Sequence, residues 1–204
     1  MKNIHQAPPS IVLASSSAYR RQLLTKLGIE FYCDSPAIDE SALPEESAQS
    51  LVTRLALQKA QAVAKRHPSA FIIGADQVAL HPSGIVGKPE NHEHAVQQLL
   101  EASGAKIRLY TSLVLLNAQN QEYQQKLVPF DVHFRKLDMA TIESYLQLEK
   151  PYDCSGSLKA EALGIWLIKK FEGDDPNALT GLPLICLIDM LQKWDYPVFG
   201  GTRA

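Results

Sequence analysis

The sequence predicts a mixed α/β protein, one sheet flanked by helices. Short apolar, β-branched runs alternate with segments whose apolar residues recur at helical spacing. The two longest strand-like runs follow each other without an intervening helix. Strands and helices therefore mix without strict alternation, which points to a mixed sheet flanked by helices.

The first strand covers residues 11–15, short, apolar and partly β-branched. Ser17 is placed to cap a helix from Ala18 to Leu27, where Leu23, Leu24 and Leu27 share a face and Gly28 is a natural stop. "EFYC" reads as a second strand, followed by a loop bracketed by Pro36 and Pro44 that carries Asp39 and Glu40. Residues 47–66 form the clearest helix, ended by His67-Pro68, with Leu51, Leu55, Ala62 and Val63 on one side and Arg54, Lys59, Lys65 and Arg66 distributed around it. "AFIIGADQVAL" is a strongly apolar strand interrupted by Asp76 and Gln77, and "HPSGIVGKP" is a turn that delivers Lys88. A helix over 92–102 ends at Gly104. "KIRLYTSLVLLNA" and "EYQQKLVPFDVHFRKL" form a hairpin across "QNQ". A helix near 140–148 leads into the "KPYDCSGS" loop, "GIWLIKKF" reads as a strand, and 183–193 is the last helix.

At 204 residues, 46% hydrophobic and 21% charged, the chain can bury a normal core as one large domain or two closely joined lobes. Twenty basic against 22 acidic side chains leave a net charge of -2 and no general field for a long polyanion, so a nucleic-acid polymer is not an expected partner and any phosphate affinity is local. Cys33, Cys154 and Cys186 are odd in number and lack metal-ligand or CxxC spacing, which reads as reduced thiols in a cytosol. "MKNIHQAPPS" lacks the apolar core of a signal peptide, and no run approaches the ~18 apolar residues of a membrane span. A cytoplasmic protein with no membrane partner is expected.

Chemistry concentrates at a few positions. Ser15, Ser16 and Ser17 lead into a helix start, where free N–H groups and the positive end of the dipole favour an anion, and Arg20 adds a fork of donors one turn on. Taken alone, the same residues read as an ordinary serine cap beside two solvated arginines. A P-loop is excluded, because no GxxxxGK[ST] string occurs. Asp76 interrupts an apolar strand, where a carboxylate is costly unless it is paired, metal-bound or at a strand end. Gly87-Lys88-Pro89 fixes a lysine in a stiff turn. Arg20, Lys59 and Lys88 with Glu40 and Asp76 form an inventory suited to a metal–polyphosphate complex.

"LASSSAYRRQLL", "PAIDE", "RLALQKA", "GADQV", "GKP" and "GLPL", in this order over residues 11 to 193, resemble the Maf family of nucleoside triphosphate pyrophosphatases. "PFDVHFRKL", "DCSGSLKAEALGI" and "GDDPNALTGLPLI" further resemble the branch that hydrolyses 7-methyl-GTP. The resemblance implies one Maf-like domain over 1–204, with an elongated mixed α/β fold of the inosine triphosphatase type, a cleft between two lobes, and commonly a homodimer. It implies cleavage between the α and β phosphates with a divalent cation, Mg²⁺ or Mn²⁺. By position, Asp76 matches the proton acceptor for the attacking water, or equally a metal ligand, with Glu40 its metal partner. Ser15, Ser17, Arg20, Lys59 and Lys88 would hold the triphosphate, and Tyr19, Gln77 and Glu161 match determinants of base choice. The branch usually carries tryptophan where this chain has Tyr19. Two alternatives remain: the UTP and dTTP selectivity of the sister branch, against which Gln77 and Glu161 count, and a nucleotide-binding regulator of cell division.

Overall fold

The structure, a computed structural model, describes residues 8–197, so most of the N-terminal segment read for a signal peptide lies outside the described residues. In chain order the elements are β1 (Ile11–Leu13), α1 (Ala18–Thr25), β2 (Phe31–Cys33), α2 (Ala48–Ala64), β3 (Phe71–His81), β4 (Gly84–Val86), α3 (His92–Ala102), β5 (Lys106–Asn117), β6 (Tyr123–Phe134), α4 (Met139–Glu149), β7 (Ile168–Glu172) and α5 (Leu184–Lys193). They build one mixed seven-stranded sheet in the order β2-β1-β3-β5-β6-β7, with β4 paired to the end of β3. β1 runs parallel to β2 and β3; β3, β5, β6 and β7 are successively antiparallel. The mixed α/β class expected from the sequence is the fold observed.

Side-chain alternation assigns the two faces of the sheet. Val12, Ile72, Val114 and Leu116 pack under Ala56, Ala60 and Val63 of α2. Ile11, Leu13, Ile73, Leu113 and Leu115 join the larger cluster shared with α1, α3, α4 and α5. Close approach of α2 to β3 depends on Gly74, since a Cβ there would stand 2.9 Å from the Ala60 Cβ. Small residues on both elements thus bring α2 near enough for a long side chain to cross onto the strand.

Helix signals in the sequence act through identifiable caps. Ser17, Ser47, Asn91 and Asp138 each accept a hydrogen bond from the backbone N–H three residues on. Two segments differ from expectation. "HPSGIVGKP" is not only a turn: Gly84–Val86 is a short strand, with Leu80 opposite Ile85, because a tight reversal at Pro82–Ser83 lets the chain hydrogen-bond back onto β3. In "GIWLIKKF" only Ile168 onward is strand; Leu163–Leu167 winds as a 3-10 helix, leaving Ile165 and Trp166 exposed instead of facing a sheet neighbour. Among the described residues, no helix is long and apolar enough to cross a membrane, and Cys33, Cys154 and Cys186 are free thiols.

Candidate active site

β1 pairs with β3 only as far as Ile73; beyond Leu13 the chain turns into the serine segment and α1 while β3 runs on to His81. That parting opens a cleft of about 690 Å³. Every residue singled out from the sequence borders it: Ser15, Ser17, Tyr19 and Arg20 where β1 passes into α1, Glu40 from the loop before α2, Lys59 from α2, Asp76 and Gln77 from β3, Lys88 after β4, and Glu161 after α4.

The serine turn is built from its own hydroxyls. Ser15 Oγ accepts from the Ser17 N–H at 3.1 Å, and Ser17 Oγ accepts from the Arg20 N–H at 3.4 Å. Both hydroxyls keep a hydrogen to donate. Arg20 Nε donates to the Gly181 carbonyl at 2.9 Å, which leaves the terminal guanidinium nitrogens without a protein partner among the described residues. Lys88 is exposed and makes no ion pair among them. Local donors and positive charge therefore gather at this end of the cleft in a protein whose net charge is -2.

Asp76 faces α2, on the same side of β3 as Ile72 and Gly74, and is 5% exposed. Lys59, also 5% exposed, reaches it across the close α2–β3 packing. Its Nζ stands 2.7 Å from Asp76 Oδ1 and 2.6 Å from Glu40 Oε2. Lys59 is thus not one of several lysines spread around a solvated helix; its ammonium joins two carboxylates from separate elements. Lys59 is the only hydrogen-bond partner of the Asp76 carboxylate among the described residues. Burial pushes the Asp76 carboxyl above its ordinary range, against the opposing pull of Lys59 and Arg20.

No group of three or more His, Cys, Asp or Glu residues is placed to hold a metal among the described residues. What converges is a pair, exposed Glu40 and buried Asp76, around one ammonium. Two carboxylates fit a hard cation such as Mg²⁺ or Mn²⁺ whose other ligands are phosphate oxygens and water, and do not amount to an all-protein cage. Glu40 and Asp76 are the residues that could hold such an ion.

Toward the other side of β3, Gln77 Nε2 donates to the Ala178 carbonyl at 2.6 Å and to Thr111 Oγ1 at 2.8 Å. The Tyr19 hydroxyl donates to Asp153 Oδ2 at 3.4 Å, and the Lys159 ammonium lies 6.0 Å from the Tyr19 ring centroid. Burial, reinforced by Cys154 and Asp153, raises the Tyr19 phenol above its ordinary value, so it remains a neutral donor. Asp153 and Cys154 border the cleft and were not singled out from sequence. Pro151 and Gly156 mark their segment as a loop, but nothing in its composition tells which way it faces. Burial pushes the Cys154 thiol up to about 12, with Asp153 adding, so it is no thiolate nucleophile.

The Maf family, described as Maf-like protein, matches residues 10–194, and the chain belongs to it. Relatives named 7-methyl-GTP pyrophosphatase include one from Pseudomonas savastanoi pv. phaseolicola, 54% identical over 91% of this chain and 96% of its own length. One from Pseudomonas fluorescens is 55% identical over 89% and 94%, and one from Nitrosococcus oceani is 50% identical over 94% and 96%. Among solved structures, the Staphylococcus aureus Ham1 protein aligns with TM-score 0.43 at 15% identity over 61% of this chain and 71% of that one, a likeness too distant to bear on the site.

Proposed function

We propose that this protein is a nucleoside triphosphate pyrophosphatase that hydrolyses 7-methyl-GTP to 7-methyl-GMP and pyrophosphate. The observation that carries the reading is the line Glu40–Lys59–Asp76, a buried carboxylate and ammonium with an exposed carboxylate, opening on the same cleft as the serine turn and Arg20. The names of relatives at 50–55% identity support the choice of substrate.

Ser15, Ser17, Arg20, Lys59 and Lys88 bind and neutralise the triphosphate. Asp76, its carboxyl raised by burial, takes the proton of the attacking water as the water oxygen bonds to the α phosphorus. The α–β bridging oxygen leaves with its electron pair on pyrophosphate. Glu40 and Asp76 would hold a divalent cation, which would supply charge neutralisation and an easier deprotonation of water. At the base, the Tyr19 ring stacks on the delocalised positive charge of 7-methylguanine, worth ~0.5–2 kcal/mol. Glu161 accepts from the N1–H and amino edge.

A pyrophosphate-release screen over 7-methyl-GTP, GTP, UTP and dTTP, with Mg²⁺ or Mn²⁺ and with chelator, tests the reading. The expected result is metal-dependent release with the highest kcat/KM for 7-methyl-GTP. Highest activity on UTP would move the protein to the sister selectivity, and nucleotide binding without release would make it a regulator.

Three variants separate phosphate from base. Arg20→Ala should lower kcat/KM for every triphosphate by a similar factor, since its free nitrogens carry no base information; equal kcat/KM in wild type and variant would return the serine turn to simple capping. Glu161→Gln should lower the ratio of 7-methyl-GTP to GTP kcat/KM, because a carboxylate favours a cationic base and an amide does not. Tyr19→Trp should keep or raise that ratio. An unchanged ratio in Glu161→Gln would remove Glu161 from base selection, and a lowered ratio in Tyr19→Trp would do the same for stacking at Tyr19.

A further inference from the structure

Two cleft residues, Arg20 and Gln77, are oriented by main-chain carbonyls of one loop. Between β7 and α5 the chain makes a 3-10 turn over Pro176–Thr180. Gly181 O accepts from Arg20 Nε at 2.9 Å. Ala178 O accepts from Gln77 Nε2 at 2.6 Å and from the fully buried Thr111 hydroxyl at 3.1 Å, and Thr111 Oγ1 accepts the second Gln77 N–H at 2.8 Å. A carbonyl oxygen can only accept, so it decides which end of the Gln77 amide faces it. Both amide hydrogens are committed there. The Gln77 Oε1 has no donor among the described residues and is not a buried orphan, so it remains available to the cleft that Gln77 borders.

The shape of the loop rests on Asp175, a carboxylate only 3% exposed. Its Oδ1 accepts from the Asn177 N–H at 3.0 Å and Asn177 Nδ2 at 3.1 Å. Its Oδ2 accepts from the N–H groups of Ile185 at 2.7 Å and Cys186 at 3.4 Å, in the first turn of α5. One side chain therefore ties the start of the 3-10 turn to the start of the next helix and fixes the carbonyls between them. Gly181 completes the fit: its φ of +86° is left-handed, and a Cβ there would stand 3.2 Å from Arg20 Nε.

We propose that residues 175–186 form a positioning loop, with Asp175 as its positioning residue, that sets Arg20 for phosphate and holds Gln77 so that it meets the base only as a hydrogen-bond acceptor. The ligand class this selects is a base presenting N–H donors, as guanine does with its N1–H and 2-amino group; Glu161, also an acceptor, makes the same demand. This rests on the proposed function for the roles of Arg20 and Gln77 and adds what controls them.

The test measures two quantities, the dissociation constant of inorganic triphosphate by calorimetry and the ratio of kcat/KM for GTP over ITP, which lacks the 2-amino donor. Asp175→Asn turns an amide N–H₂ toward N–H donors, and should weaken triphosphate binding and lower the GTP/ITP ratio together, each by about 2–10-fold. Gly181→Ala, whose methyl would stand 3.2 Å from Arg20 Nε and 3.5 Å from Gln77 Oε1, should weaken triphosphate binding more than it changes the ratio. Thr111→Val should lower the ratio with triphosphate binding held, and Thr111→Ser should restore it. A folded Asp175→Asn protein with a lower melting temperature but both quantities at wild-type values would overturn the proposal. Should that variant fail to fold, wild-type values in both Gly181→Ala and Thr111→Val would do the same. Absence of turnover by the wild type would instead defeat the proposed function, and the triphosphate constants would still report on the loop.

Discussion

Asp76→Asn should lower kcat by about 10²–10⁴-fold under saturating metal while leaving a cooperative melt. The substitution is nearly isosteric and keeps an oxygen for the Lys59 ammonium, so the packing of β3 against α2 has no reason to change. What it removes is the one buried carboxylate of the cleft, whose proton affinity burial has already raised. Weakened metal binding would lower turnover as well, so the variant is titrated with Mg²⁺ and Mn²⁺ before kcat is read. A plateau rate near wild type would take Asp76 out of the chemistry.

Lys59→Met should cost both activity and stability. Lys59 is the only partner of the Asp76 carboxylate among the described residues, and both groups are 5% exposed. Removing one member of such a pair leaves an uncompensated buried charge, with a loss of about 3–5 kcal/mol. Glu40, on an exposed loop, simply returns to solvent. The pH dependence has a definite sign. Lys59 pulls the Asp76 carboxyl down, so its loss lets burial raise that carboxyl further. A carboxyl raised above its unfolded value binds its proton preferentially in the native state, so stability increases as pH falls through the raised value. Thermal melts between pH 7 and 5 should therefore show Lys59→Met gaining on the wild type as the solution is acidified; parallel curves would mean that the pair contributes little.

Much of this architecture is local and therefore readable in the sequence. The strand–serine turn–helix unit declares itself through Ile11–Leu13, the Ser17 cap and the leucines of α1. The long helix around Leu51 and Leu55 and the hairpin of β5 and β6 follow from periodicity. The gathering of Ser15, Arg20, Glu40, Lys59, Asp76 and Lys88 was reachable from motif resemblance, and all border the cleft. Direction was not readable. Lys59 and the solvated Lys65 are lysines of one helical segment, and only the close packing of α2 on β3 at Gly74 shows that the first lies against Asp76. Supports were missed for a different reason: the carbonyls of Ala178 and Gly181 belong to the main chain, so no residue type announces that they hold Gln77 and Arg20. Ile165 and Trp166 misled by being apolar and exposed, which gave a 3-10 turn the appearance of a strand.

The most direct measurement is the product analysis of 7-methyl-GTP incubated with the wild-type protein and Mg²⁺. Equimolar 7-methyl-GMP and pyrophosphate, with kcat/KM above that for GTP and UTP, is the expected result. Formation of 7-methyl-GDP with orthophosphate, or no turnover of the methylated nucleotide beside rapid turnover of UTP, would contradict it.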